Sequence, residues 1–162
     1  ILGGIESLKE AVARNRKNYT TREVCFAELT VDETIQRRTT FPVGAQIYYI
    51  QRVRCIEGEA LIIDHNYFLK DVVRDLTPEI AERSIYEYME KDLGESIVTT
   101  KRKMTVERVN QIDETYLDLK DYNCMAVVSS MTYNKEGVMF EFTQSRHRPD
   151  RFVFYDLAHR TK

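Results

Sequence analysis

The chain has 162 residues, of which 43% are hydrophobic and 31% charged, with a net charge of −2. A length of this order fits one domain. A mean hydropathy of −0.46 and apolar runs far shorter than the ~20 residues of a membrane helix exclude a membrane protein, and a pI of about 6.0 does not fit a free-standing nucleic-acid binder, whose pI usually exceeds ~9.

In chain order, 5–14 place apolar residues at helical spacing, 16–21 are polar and read as a loop, and 23–31 alternate as a strand. Asp32 is an N-cap candidate for a short helix that Phe41-Pro42-Val43-Gly44 ends. Residues 47–68 read as two strands meeting at Glu57-Gly58. A turn near 70–74 follows. Thr77-Pro78-Glu79 starts a helix with threonine at the N-cap and proline at N1. A second helical segment runs from Ser84 to Leu93 and stops at Gly94. Residues 97–110 form a long strand, 112–119 a short helix with Ile112, Tyr116 and Leu119 inward, and 125–133 with 138–145 a second hairpin. A last strand is expected at 151–157. Tight turns between strands and clustered helices predict an α+β fold built on one mostly antiparallel sheet.

The three cysteines, Cys25, Cys55 and Cys124, are far apart and odd in number, and no CxxC occurs. They read as free thiols of a cytoplasmic protein, with no metal site and no cofactor. The three histidines lack metal-like spacing, and no nucleophile elbow, phosphate loop or HExxH is present. Nothing in the chain demands an enzyme.

Anion binding is better supported. Arg52 and Arg54 lie two apart on an apolar strand, so both leave one face, and buried arginines need anions. Across the hairpin, Asp64 reaches that face only if the turn carries an odd loop or a bulge. The pattern leaves open whether Asp64 or a ligand supplies the counter-charge. Arg146, Arg148 and Arg151 add cations around His147, with Asp150 as a local counter-ion. Ser84 reads as an N-cap, although a helix start also attracts anions, and the same holds for Ser7 and Lys9. Glu141, between Phe140 and Phe142, reads as a partner for an arginine or for sugar hydroxyls.

Four stretches in order, GGIESLKEAV, RVRCIEGEALIID, SIYEYM and EFTQSRHRPDRF, resemble the UTRA domain, the effector-binding module of HutC-type regulators in the GntR family. The opening segment LGGIESLKEA is most similar to repressors of trehalose operons. The resemblance implies a chorismate-lyase-like fold, a single effector-binding domain over 1–162, homodimerisation, and a winged helix-turn-helix that would precede Ile1 and bind operator DNA. It implies a phosphorylated sugar as effector, with trehalose 6-phosphate the specific expectation. By the same resemblance, Arg52, Arg54, Asp64, Ser84 and the segment Ser7, Leu8 and Lys9 contact the ligand. His147 stands where the family often has tyrosine, and Leu8 where it often has phenylalanine. Arg148 and Arg151 would support the site or the dimer. The alternative on this fold is a small-molecule lyase.

Overall fold

The computed structural model describes residues 18–161. Six antiparallel strands form one sheet in the order β1-β2-β3-β6-β5-β4. They are β1 (Tyr19–Thr30), β2 (Gln46–Ile56), β3 (Glu59–Leu69), β4 (Ile97–Arg108), β5 (Cys124–Asn134) and β6 (Met139–His147). The helices are short: α1 (Glu33–Thr39), α2 (Pro78–Glu82), α3 (Ile85–Glu87, continued as a π turn over Tyr88–Asp92) and α4 (Gln111–Tyr116). The α+β expectation holds. The helix expected at 5–14 lies outside the described residues.

Local chemistry explains the starts. Asp32 accepts from the Ile35 amide, Thr77 from that of Ile80 and Ser84 from that of Glu87, each satisfying a free donor of the first turn. Asn110 and Asp113 form a reciprocal capping box on α4.

Three expectations need correction. Strand β1 begins at Tyr19, inside the stretch read as a loop, because Tyr19, Thr20 and Thr21 pair with Ile56, Cys55 and Arg54. On α4, Ile112 is exposed and the inner position belongs to Asp113, which is fully buried; an ion partner, Arg146, makes that burial possible. The strand expected at 151–157 does not form. Pro149–Arg151 make one 3-10 turn, and the chain beyond it has no regular structure.

The sheet has two differently covered faces. On the front, Ala81, Ile85 and Met89 of α2 and α3 pack on Tyr48, Ile50, Phe68 and Phe140. On the back, Val31, Phe41, Ile47, Tyr67 and Phe142 form one cluster beside α1. A second back cluster joins Val53, Ile63, Met125 and Val127 to Leu117, just after α4.

Candidate functional site

The site is set by strand register. At the β2–β3 turn, Glu57 and Gly58 both have positive φ (51° and 82°), the geometry of a two-residue primed turn, which glycine adopts freely. Ile56 pairs with Glu59 and Cys55 with Ala60, but Arg54 pairs with Ile62. Leu61 is therefore the extra residue of a bulge, and beyond it Asp64 stands opposite Arg52. The bulge puts the acid on the arginine face, as the hairpin argument required.

Cross-strand partners share a face, so whole rows can be followed over the front. Glu23, Arg52, Asp64, Ser145, Val128 and Met104 form one row across all six strands. The next row toward α2 and α3 contains Ile50, Asn66, Thr143 and Ser130. The one beyond it contains Phe68, Glu141 and Thr132. On the other side of the arginine row, Arg54, Ile62 and His147 align. Arg52, Arg54, Asp64, Glu141 and His147 are thus brought to one surface, beneath the α2–α3 segment.

The two arginines have different partners. Arg54 Nε donates to Asp64 Oδ2 at 2.5 Å, and its Nη1 donates to Thr21 Oγ1 at 3.3 Å. Arg52 donates Nε to the side-chain oxygen of Asn66 at 3.1 Å and Nη1 to the Ala81 carbonyl at 3.3 Å. It is 8% exposed, and among the described residues it makes no ion pair with a carboxylate. Burial, reinforced by Arg54, pushes its pKa down to about 10, so it stays protonated at neutral pH. Burial alone would raise the Asp64 pKa, but Arg54, Arg52 and the Ser145 hydroxyl bring it below the usual value. That hydroxyl donates to Asp64 Oδ1 at 2.6 Å.

Glu141 is buried and, among the described residues, forms no ion pair with an arginine. It accepts from Tyr86 Oη at 2.6 Å and Thr143 Oγ1 at 2.5 Å, and burial raises its pKa. Thr143 in turn accepts from Asn66 at 2.8 Å. Glu23 carries a buried oxygen, Oε2, without a hydrogen-bond partner among the described residues, and burial, with Glu82 close by, raises its pKa. Among the described residues the surface therefore combines a cation without a counter-carboxylate, an acid with unused acceptor capacity, and a run of hydroxyl and amide groups.

The other expected residues fall as follows. Ser84 caps α3 through the Glu87 amide at 3.3 Å, three residues after the carbonyl that Arg52 holds. His147 is half-buried and packs edge-on against Phe152, with ring centroids 5.1 Å apart. Burial lowers its pKa. Arg148 is buried but turned away from Arg52: it binds Asp150, Glu59 and the Asp118 carbonyl. Arg151 is exposed, 3.4 Å from Glu59. Both arginines brace the 3-10 turn. Ser7, Leu8 and Lys9 lie outside the described residues. Sequence reasoning missed Glu23, Asn66, Thr143, Ser145 and Tyr86. Alternation from Asp64 and Glu141 marks Asn66, Thr143 and Ser145, whereas Tyr86 is placed by helix packing and Glu23 by a bulge in β1.

A UTRA domain model matches residues 14–153. The transcriptional regulator TreR of Bacillus subtilis is 36% identical over 161 residues, covering 99% of this chain and 68% of that protein. GmuR of the same organism is 26% identical over 148 residues, and the chain spans 58% of its length. The solved effector-binding domain of the B. subtilis trehalose repressor superposes with a TM-score of 0.79 at 37% identity, covering 88% of this chain and 99% of that domain. The effector domain of PhnF from Mycobacterium smegmatis shares the fold, with a TM-score of 0.83 at 20% identity and 97% of each chain covered. TreR and GmuR are transcriptional regulators, which removes the lyase alternative.

Proposed function

The chain belongs to the UTRA domain family, as an effector-binding domain similar to that of TreR in a GntR-family transcriptional regulator, and from that premise we propose that its effector is a phosphorylated sugar, with trehalose 6-phosphate the best candidate. One observation carries the reading. Arg52 is a buried, protonated guanidinium with hydrogen bonds only to neutral groups among the described residues. A phosphate supplies the missing charge and accepts charge-assisted hydrogen bonds in a forked geometry. Glu23, Glu141 and the hydroxyls between them are acceptors and donors for sugar hydroxyls. Asp64 neutralises Arg54 and leaves Arg52 as the cation available to the phosphate.

In this reading the domain works as a homodimer in the cytoplasm. Operator DNA is held by a winged helix-turn-helix elsewhere in the full protein, and the domain needs no cofactor. The effector acts by binding one dimer arrangement better than another, because a ligand shifts an equilibrium only through differential affinity. The trehalose assignment draws on the 36% identity to TreR. Calorimetric titration with trehalose 6-phosphate, trehalose and glucose 6-phosphate tests it, in the unaltered chain and in Arg52→Ala. The expected result is saturable binding of the disaccharide phosphate, weakened at least tenfold in the variant. Trehalose binding more tightly than its phosphate refutes the role of Arg52. No binding of either phosphate refutes the effector class.

A further inference from the structure

The basic run Lys101-Arg102-Lys103 on β4 divides between the two faces of the sheet. Arg102 pairs with Ser130, and its row continues through Thr143 and Asn66 to Ile50 on the front. Lys101 and Lys103 take the back and are exposed, whereas Arg102 is half-buried. The far edge of the front surface thus carries an arginine, one row along from Arg52 and Asp64.

Its neighbours belong to the effector surface. Thr100, the next front residue along β4, shares a hydrogen bond with Thr132 at 3.1 Å, and Thr132 stands opposite Glu141. Glu141 in turn accepts from Tyr86 Oη at 2.6 Å. Burial and the Glu141 carboxylate push the Tyr86 phenol well above its ordinary pKa, while the Thr132 hydroxyl and the charge of Arg102 pull the other way. The Arg102 guanidinium therefore lies near the wall that Tyr86 and Glu141 build. On its other flank is Met104, 39% exposed, opposite Val128.

Arg52 and Arg102 bracket a strip of neutral groups. Arg52 reaches over β3, where its Nε donates to Asn66. Strands β3 and β4 are three steps apart in the sheet, ~14 Å at ~4.8 Å per step. Thr143 and Ser130 lie between them, with Ser145 and Val128 in the adjacent row. The strip offers hydroxyls for a sugar's polar edge, and Val128 with Met104 offers apolar surface for its C–H face. A single hexose on Arg52 fills only part of this length.

We infer that Arg102 is a specificity-determining residue of the effector site, donating hydrogen bonds to hydroxyls on the second ring of a disaccharide phosphate whose phosphate is held by Arg52. A guanidinium carries five donors in a planar fork, so Arg102 serves neighbouring hydroxyls while keeping a contact within the protein. Hydrogen bonds from a charged donor are stronger than neutral ones, and a site built to bind hydroxyls discriminates against a ligand that lacks them. The inference rests on the sugar-phosphate reading above and adds what separates a disaccharide phosphate from a hexose phosphate.

Calorimetric titration of the whole chain with trehalose 6-phosphate and glucose 6-phosphate tests it, in the parent, Arg102→Leu and Arg102→Lys, with a melting curve for each. The parent should prefer the disaccharide phosphate by about tenfold or more, and Arg102→Leu should lose that preference. Arg102→Lys should fall between them, because an ammonium keeps the charge without the fork. In isotope-labelled protein, the Arg102 Nε–H signal, assigned by its loss in Arg102→Leu, should move on saturation with trehalose 6-phosphate and stay in place with glucose 6-phosphate. A signal that trehalose 6-phosphate leaves in place, or undiminished binding of it by Arg102→Leu, overturns the role of Arg102 while the sugar-phosphate class stands. Equal weakening of both ligands overturns it as well. A parent that binds neither phosphate overturns the effector class and this inference together.

Discussion

Arg54 and Asp64 form an ion pair across the β2–β3 hairpin, and they meet because Leu61 is an extra residue between them and the turn. Without that bulge every residue of β3 beyond it would change face, and Asp64 would enter the back cluster. The bulged residue is itself held: the Leu61 carbonyl accepts from the Arg148 amide at 2.9 Å. The pairing also divides the labour of two neighbouring arginines. Arg54 is neutralised within the protein, and Arg52 remains available.

The first prediction concerns that pair. Asp64 is 4% exposed and its neighbour is half-buried, so removing the acid leaves a poorly hydrated cation. Asp64→Ala should destabilise the chain by about 3–5 kcal/mol, the usual cost of breaking a buried pair from one side. Arg54→Met with Asp64→Leu should recover most of the loss. Urea unfolding of the two variants measures both. A single variant within 1 kcal/mol of the parent would mean that water reaches Arg54.

A second prediction concerns Tyr86, which ties the α3 segment to the sheet through Glu141. Tyr86→Phe removes one of the two hydrogen bonds on a buried carboxylate and changes little in volume. The expected cost is about 1–3 kcal/mol, because the acceptor is left under-satisfied away from water. Glu141 should take up a proton at higher pH than in the parent, since its raised pKa is partly offset by the hydrogen bond that is lost. Denaturant unfolding together with the carboxyl signal of Glu141 in an isotope-labelled sample reads both. An unchanged carboxyl titration would show that Thr143 alone fixes the charge.

Much of this arrangement was legible in the sequence, and the parts that were not have identifiable causes. Parity along a strand is a local property, so Arg52 with Arg54 could be placed on one face from their spacing alone. The need for a bulge followed from asking Asp64 to join them. The families of helix starts were readable from Thr77-Pro78, Asp32 and Ser84. What spacing could not show was partner choice. Arg146 reads in the sequence as one of three cations around His147 with Asp150 as the local counter-ion, but it is 3% exposed and binds Asp113, 33 residues away. The 151–157 segment has the composition of a strand, but a strand also needs a neighbour, and propensity carries no information on whether one is present.

The third prediction follows from Arg146. Its Nε and Nη2 bind the Asp113 carboxylate at 3.0–3.1 Å, and Nη1 reaches Glu107 at 3.1 Å. Asp113 is fully buried and also accepts from the Asn110 amide. Arg146→Ala should therefore cost about 3–5 kcal/mol, while losing the cap alone, through Asn110→Ala, should cost about 1 kcal/mol. The comparison is made by urea unfolding. Equal losses would show that the capping box, rather than the ion pair, holds α4 to the sheet.

The fourth prediction is a pH dependence. His65 is 7% exposed, with the Tyr49 hydroxyl 2.9 Å from Nδ1. Burial, together with the charge of Arg146, holds its pKa below the ordinary value of 6.5, and burial does the same for His147. The unfolded chain therefore binds these protons more readily than the folded one. The sign follows from linkage: their contribution is complete above pH 6.5 and is lost as the pH falls from 6.5 through the folded-state values. Asp64, with its pKa below the ordinary 3.8, is lost only in stronger acid. The raised pKa of Glu141 acts in the opposite sense as the pH falls through it. Stability of the parent and of His65→Gln, measured by urea unfolding at intervals between pH 7.5 and 5, isolates the histidine because the other groups are common to both. The parent should lose stability over that interval more steeply than the variant. Parallel curves would mean that His65 takes up its proton without cost in the folded chain.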